Sequence, residues 1–235
     1  MSFEEKVLYK VQHSNKIRKR TRVESPKNID VQELNSVYVK IKYAVEYLIT
    51  FITVVLLLPL FGIVSLLIKL DSKGPVLFKH TRYGKNGKPF KVFKFRTMVR
   101  GAHLMQDKLK HLNEMDGGNL FKSDKDPRVT RLGKFLRKTS IDELPQLFNI
   151  LKGDMTVIGP RPLSTPIEEY DAESLNRFKV KPGLGCIWQA YFRKGTHFKM
   201  WMKTDVIYVQ NLSLKLDLKL LFLITKNVLT GNGAR

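Results

Sequence analysis

The chain has 235 residues, enough for one substantial core with appendages. Its 42 Lys and Arg against 21 Asp and Glu give a formal net charge of +21, which directs it toward polyanions: nucleic acid, an acidic membrane surface or phosphorylated substrates. The single cysteine, Cys186, excludes internal disulfides and any cysteine-built metal site, and fits a reducing compartment.

Residues 1–42 read as a polar arm with a basic cluster at Lys16, Arg18, Lys19, Arg20 and Arg22, ahead of the turn signal Ser25-Pro26. Beside an apolar anchor such a cluster suits anionic lipid, at about 1 kcal/mol per basic residue near the surface. Tyr47 to Ile68 carries no charge and is long enough to cover about 30 Å of hydrocarbon. It begins too far along the chain, and lacks the small-residue cleavage site, for a removable signal peptide. Pro59 interrupts it, and both flanks are basic, with Lys40 and Lys42 before it and Lys69, Lys73, Lys79 and Arg82 after it. The pattern leaves open a kinked helix that passes once and a re-entrant one that turns at Pro59; only the second keeps both basic flanks on one side.

Gly74-Pro75 then breaks the chain. Two segments, Val76 to Arg82 and Phe90 to Thr97, flank Gly84-Lys85-Asn86-Gly87 and predict a β-hairpin, made basic by Lys91, Lys94 and Arg96. A helix is predicted from about Ala102 to Met115, running into a loop at Gly117-Gly118. In DPRVTRLGKFLRK, Val129, Leu132, Phe135 and Leu136 recur at helical spacing while Arg128, Arg131, Lys134, Arg137 and Lys138 fill the other face. This basic amphipathic helix suits either a membrane interface or an ordinary place on the core, and it would present Arg137 to a phosphate. Further on, Pro182-Gly183 and Gly185 read as a turn, followed by Trp188, Tyr191, Phe192 and Trp201, which suit a membrane boundary or a core. Ser213 to Leu229 fits both strand alternation and a helical stripe, and the absence of turn signals favours helix.

The richest stretch is LRKTSIDELPQLFNILKGDMTVIGPRPL, Leu136 to Leu163. Ser140 and Glu143 have capping-box spacing, and Leu144, Leu147, Phe148 and Leu151 give the predicted helix an apolar face. Pro145 leaves two registers open, with Ser140 or Asp142 as the cap; both keep Asp142 in the first turn, where backbone N–H groups and the helix dipole favour a phosphate and an ionised carboxylate. Two glycine turns in GDMTVIGPRP then deliver Arg161 between Pro160 and Pro162, a guanidinium on a stiff loop suited to bidentate phosphate binding. No phosphate-binding P-loop, dinucleotide fingerprint, H-E-x-x-H zinc motif or nucleic-acid motif occurs, and the histidines do not cluster.

Taken together these features resemble the bacterial sugar transferases, also called polyprenyl-phosphate hexose-1-phosphate transferases or monotopic phosphoglycosyl transferases, over about residues 40–235. The resemblance is carried by the apolar run with Pro59, KFRTM at Lys94 to Met98, the stretch Asp126 to Met155, GPRPL at Gly159 to Leu163, VKPGLGCIWQ at Val180 to Gln189, and the ending LDLKLLFLI with GNGA. It implies a mainly α fold with a small β-hairpin. After the arm of residues 1–42 would come a re-entrant membrane helix over 43–70, broken at Pro59. A cytoplasmic catalytic domain with interfacial amphipathic helices would occupy residues 71–235.

The implied activity is transfer of a sugar-1-phosphate from a UDP-sugar to a polyprenyl phosphate such as undecaprenyl phosphate, releasing UMP and starting an exopolysaccharide, capsule or other glycoconjugate. In the family the aspartate of the Asp-Glu pair forms a covalent phosphosugar intermediate, a role that carries to Asp142. Glu143, with Asp142, would hold Mg²⁺. Arg137, Arg161 and Arg96 are the expected phosphate ligands, with Pro160, Pro162, Lys181 and Gln189 on a nucleotide-sugar loop. The resemblance also implies the cytoplasmic face of the bacterial inner membrane, anionic lipid as a partner, no nucleic acid, and a homodimer as one permitted assembly. Leu58 replaces the serine frequent before the bend proline, which removes a side-chain hydrogen bond at the break; Gly185 replaces a frequent threonine and Ala190 to Arg193 depart from the usual wording, which leaves the sugar open. A membrane-anchored basic adaptor without catalysis, or a transferase in which the lipid phosphate attacks directly, are the rival readings.

Overall fold

The computed structural model describes residues 37–105, 107–113, 123, 126–192 and 198–231. The basic cluster of the arm, the Gly117-Gly118 loop and the GNGA ending after its first glycine lie outside the described residues. The structure opens with helix α1 (Val37–Asp71), followed by an antiparallel hairpin of β1 (Leu77–Tyr83) and β2 (Pro89–Phe95). Next come α2 (Arg131–Lys138), α3 (Gln146–Leu151) and β3 (Thr156–Ile158). The chain closes with β4 (Gly183–Gly185), α4 (Ile187–Tyr191), α5 (Phe198–Gln210) and α6 (Leu214–Leu229).

Helix α1 is the one helix among the described residues long and apolar enough to cross a membrane. Its buried positions, Val39, Lys42, Thr50, Val54, Phe61, Val64 and Ile68, recur at helical spacing along the whole length, so one face packs on the domain throughout. The opposite face exposes Leu48, Phe51, Ile52, Leu56, Leu58, Ile63, Leu66 and Leu70. The expected break at Pro59 is not seen: α1 runs as one helix through it. Proline still removes one backbone donor. On either side, Thr53 and Ser65 donate their hydroxyls to the carbonyls of Ile49 and Phe61, at 2.8 and 2.6 Å, a back-bonding that tends to bend helices.

Both ends of α1 are tied to the domain. Near the start, Asp217 on α6 accepts from Lys42 Nζ (2.7 Å), the Tyr38 hydroxyl (2.5 Å) and the Tyr208 hydroxyl (2.7 Å). Glu46 pairs with Lys42 at 2.6 Å and accepts from Thr156 Oγ1 and the Val157 N–H of β3. Near the end, Phe61 packs on Phe95 and Phe148, and Arg96 donates to the carbonyls of Ser72 (2.5 Å) and Ile68 (3.3 Å). Ile68 lies in the final turn and Ser72 just beyond it, where helical donors run out, and a guanidinium there satisfies their carbonyls and opposes the negative end of the dipole.

The hairpin turns where expected, with Asn86 (φ 56°) and Gly87 (φ 68°) supplying the positive angles. Ser213 caps α6 by accepting from the Leu216 N–H, which settles Ser213 to Leu229 as helix. Other expectations need correction. The predicted helix from Ala102 is two 3₁₀ stretches, Ala102–Met105 and Asp107–Leu112, because no apolar stripe holds it: Leu104 is 75% exposed. Thr130 caps α2 through the Gly133 N–H, but the single apolar face divides, with Leu136 buried (1%) and Phe135 turned outward (56%). Arg128, assigned to the basic face, is buried in a bidentate pair with Asp126. Pro182 to Gly185 is less a turn than a strand: β4 runs parallel to β3, and a Cβ on Gly183 would lie 2.1 Å from the Gly159 nitrogen. Glycine permits that approach. Trp188 is core, stacked on Trp201 at 5.5 Å between centroids.

Candidate active site

Asp142 and Glu143 sit in a 3₁₀ turn, Ile141–Glu143, entered through Ser140 in the left-handed region (φ 58°). The capping box does not form: Ser140 makes no side-chain cap, and Glu143 turns to tertiary partners. Pro145 immediately precedes α3, where its missing N–H costs no helical bond. Asp142 is therefore one short turn ahead of the α-helix rather than inside it.

Three elements bring cations to this turn. Lys94 on β2 and Arg161 after β3 each approach Glu143 Oε1 to 2.6 Å, and Arg161 Nη1 lies 3.4 Å from Oε2. Arg137, in the last turn of α2, is steered by donating from Nε to Thr97 Oγ1 at 3.0 Å. Burial alone would raise Glu143, but the charges and hydrogen bonds of Arg161 and Lys94 hold its carboxyl well below the usual range. Asp142 goes the other way. Burial, at 9% exposure, pushes it up to about 6; Lys94, Arg137 and Arg161 pull it down, and Glu143 adds to the rise. Asp142 thus remains within the field of three cations while its neighbour takes up the ion pairs.

Arg161 is held from behind. Arg177 donates to its carbonyl and is itself paired with buried Asp205 at 2.7 Å and bonded to the Tyr170 hydroxyl at 3.0 Å. Burial pushes Asp205 up to about 6 against the pull of Arg177. Pro160 accepts from the Gly183 N–H at 2.8 Å, which ties the loop to β4, and Pro162 is buried beside Leu163, whose carbonyl accepts from Tyr83 on β1. The prolines shape the loop that presents Arg161.

Of the remaining expected residues, Arg96 clamps the end of α1 instead of facing the dyad. Lys181 is also engaged with α1: its N–H donates to the Tyr43 hydroxyl and its ammonium lies 4.7 Å from that ring's centroid. Gln189 keeps a buried Oε1 with no partner, and its N–H bonds Cys186, which lies within electrostatic reach of Arg161 and Glu143. On sequence alone, Lys94 is only a hairpin charge and Arg82 only a flanking one. The structure brings both to the dyad. The alternation of β2 was the available signal for Lys94.

Among the described residues no group of three or more His, Cys, Asp or Glu is placed to hold a metal ion. The two dyad carboxylates alone would leave any divalent cation to complete its shell with water and substrate oxygens.

A family profile described as bacterial sugar transferase matches residues 37–231. The galactosyl transferase CpsE of Streptococcus agalactiae is 44% identical over 165 residues, covering 69% of this chain and 36% of the relative. The UDP-N-acetylgalactosamine-undecaprenyl-phosphate N-acetylgalactosaminephosphotransferase of Aeromonas hydrophila is 38% identical over 206 residues, covering 85% and 46%. The exopolysaccharide production protein ExoY of Sinorhizobium fredii is 36% identical over 197 residues, covering 82% of this chain and 87% of its own length. The chain belongs to the bacterial sugar transferase family. It spans less than half the length of the first two relatives.

Proposed function

We propose that this protein is a membrane-associated phosphoglycosyl transferase that moves a sugar-1-phosphate from a UDP-sugar to undecaprenyl phosphate through a covalent intermediate on Asp142. The observation that carries this reading is the division of labour in the dyad: Glu143 is paired through Oε1 with Lys94 and Arg161, leaving Oε2 only a 3.4 Å contact, while Asp142 lies in the same cationic field with no hydrogen bond to its carboxylate among the described residues. A carboxylate with unengaged lone pairs is a usable nucleophile, and its cationic surroundings reduce its repulsion from an anionic diphosphate.

In the first step an Asp142 oxygen attacks the sugar-bearing phosphorus. The bond from that phosphorus to the bridging oxygen breaks, and UMP leaves with the electron pair. In the second, an oxygen of the polyprenyl phosphate attacks the same phosphorus, giving a polyprenyl diphosphate sugar and restoring the carboxylate. Arg161 and Arg137 orient the phosphoryl oxygens, and Lys94 holds Glu143 in place. Mg²⁺, held by Asp142 and Glu143 together with substrate oxygens, would neutralise charge on the diphosphate and on departing UMP.

The lipid is reached through α1. A helix of 35 residues is about 52 Å long. With both its ends and its buried stripe on one domain, it would lie in one leaflet, dipping and returning near Pro59, and keep the site at the cytoplasmic face of the bacterial inner membrane. Its apolar outer face, with Phe135 on α2 and Leu214, Leu218, Leu221 and Phe222 on α6, supports that placement. Incubation with a UDP-sugar in the absence of acceptor should release one UMP per enzyme and leave a phosphosugar on Asp142, detected by mass spectrometry of the intact chain. Turnover with acceptor but no adduct would leave direct attack by the lipid phosphate.

A further inference from the structure

Arg82 lies near the end of β1, opposite Phe90 in the hairpin register. The next residue, Tyr83, forms an antiparallel bridge with Leu163, its N–H donating to the Leu163 carbonyl at 3.1 Å, so the strand end is stitched to the loop that carries Arg161. The Arg82 guanidinium lies within electrostatic reach of Arg161, Glu143 and Tyr170. Its Nη1 is buried without a hydrogen-bond partner. Burial and the neighbouring Arg161 push its pKa down to about 10 despite Glu143.

Burying a guanidinium nitrogen without a hydrogen-bond partner is unfavourable. The carboxylate nearest to it, Glu143, already receives Lys94 and Arg161. Lys94, Arg82, Arg137 and Arg161 gather around Asp142 and Glu143, while Asp126 and Asp205, which also act on Arg137 and Arg161, are each paired with an arginine of their own, Arg128 and Arg177. Among the described residues no carboxylate is paired with Arg82. A substituted diphosphate carries two negative charges at neutral pH, and its oxygens are the acceptors for which a planar guanidinium is best suited.

We infer that Arg82 is an additional phosphoryl-binding residue, its buried and unpartnered Nη1 receiving a phosphate oxygen of the bound substrate beside Arg161. The inference deepens the transfer reading above and rests on it for the identity of the substrate. The shared chemistry is a phosphoryl anion, supplied either by the donor diphosphate or by the headgroup of the acceptor.

The test compares full-length wild-type, Arg82→Met and Arg82→Lys proteins in lipid nanodiscs. A residue that holds the fold together loses thermal midpoint when removed; one that waits for an anion does not. We expect the Arg82→Met midpoint without ligand to equal or exceed the wild type, and its upward shift with inorganic pyrophosphate or UDP to be largely lost. In turnover, KM should rise about tenfold or more with kcat changed much less. Arg82→Lys should recover part of both. If KM for the UDP-sugar moves, the donor supplies the anion; if KM for a short polyprenyl phosphate moves instead, the acceptor does. A lowered midpoint without ligand, or wild-type shifts and wild-type KM for both substrates, overturns the inference. The pyrophosphate measurement does not depend on turnover, so a protein that transfers no sugar but loses its pyrophosphate shift in Arg82→Met refutes the function and leaves the anion site standing.

Discussion

Replacing Asp142 by Asn should abolish transfer and at the same time stabilise the protein. The folded environment pushes Asp142 from 3.8 to about 6, with burial the largest cause. Between those values the folded state binds more protons than the unfolded chain, so stability falls as pH rises through that window. The gap corresponds to about 3 kcal/mol of destabilisation, fully present above about pH 6 and absent below about pH 4. Asparagine is uncharged and nearly isosteric, and escapes this cost. For a domain of this size the thermal midpoint of Asp142→Asn should exceed the wild type by roughly 6 to 12 °C at pH 8, an upper figure because the charge is shared with Glu143. The assay is thermal unfolding of both proteins in the same nanodiscs at pH 4 and pH 8. The advantage should be large at pH 8 and shrink toward zero at pH 4. Equal midpoints at pH 8, or an advantage independent of pH, would refute the picture of a carboxylate destabilised for its chemistry.

The same raised carboxyl sets the pH profile of the first half-reaction. Single-turnover UMP release under kcat/KM conditions should rise about tenfold per pH unit below about 6 and level off above it, with no inflection from Glu143, whose carboxyl is held far below that range. Asp217→Asn leaves the Lys42 ammonium without one of its two carboxylates, and should cost about 3 kcal/mol or more in urea unfolding, with earlier proteolysis around α1. Gly133→Ala places a Cβ 2.1 Å from the Thr97 carbonyl oxygen, a backbone atom that cannot swing aside. It should shift α2, pull Arg137 away from Thr97 and lower kcat more than Arg137→Lys does. A wild-type kcat in Gly133→Ala would show that α2 does not position Arg137.

Local signals were legible wherever a short segment decides its own conformation. Asn86 and Gly87 turn the hairpin, Thr130 and Ser213 cap their helices, and the uncharged run forms α1. What escaped depends on distant partners. The spacing of Ser140 and Glu143 promises a capping box, yet Lys94 and Arg161, 49 and 18 residues away, claim the glutamate. Gly183 to Gly185 resembles a turn until Gly159 needs a neighbour with no side chain. Arg96 shares the charge and motif of a phosphate ligand, and only the position of the helix end reveals its other duty. In the site, Asp142, Glu143, Arg137 and Arg161 were legible because one contiguous stretch carries them. Lys94 and Arg82 come from the hairpin, and only the tertiary fold brings them in.

Two side chains apart on one segment, Lys94 grips the glutamate of the dyad and Arg96 grips the final turn of α1. Lys94 lies in β2 and Arg96 directly follows that strand, so one short stretch of chain joins the end of α1 to the dyad. Tilting the anchor in a bilayer of the wrong thickness would turn the lysine away from its carboxylate. If α1 lies in the membrane as proposed, a preparation stripped of its bilayer is expected to lose rate before it loses its fold.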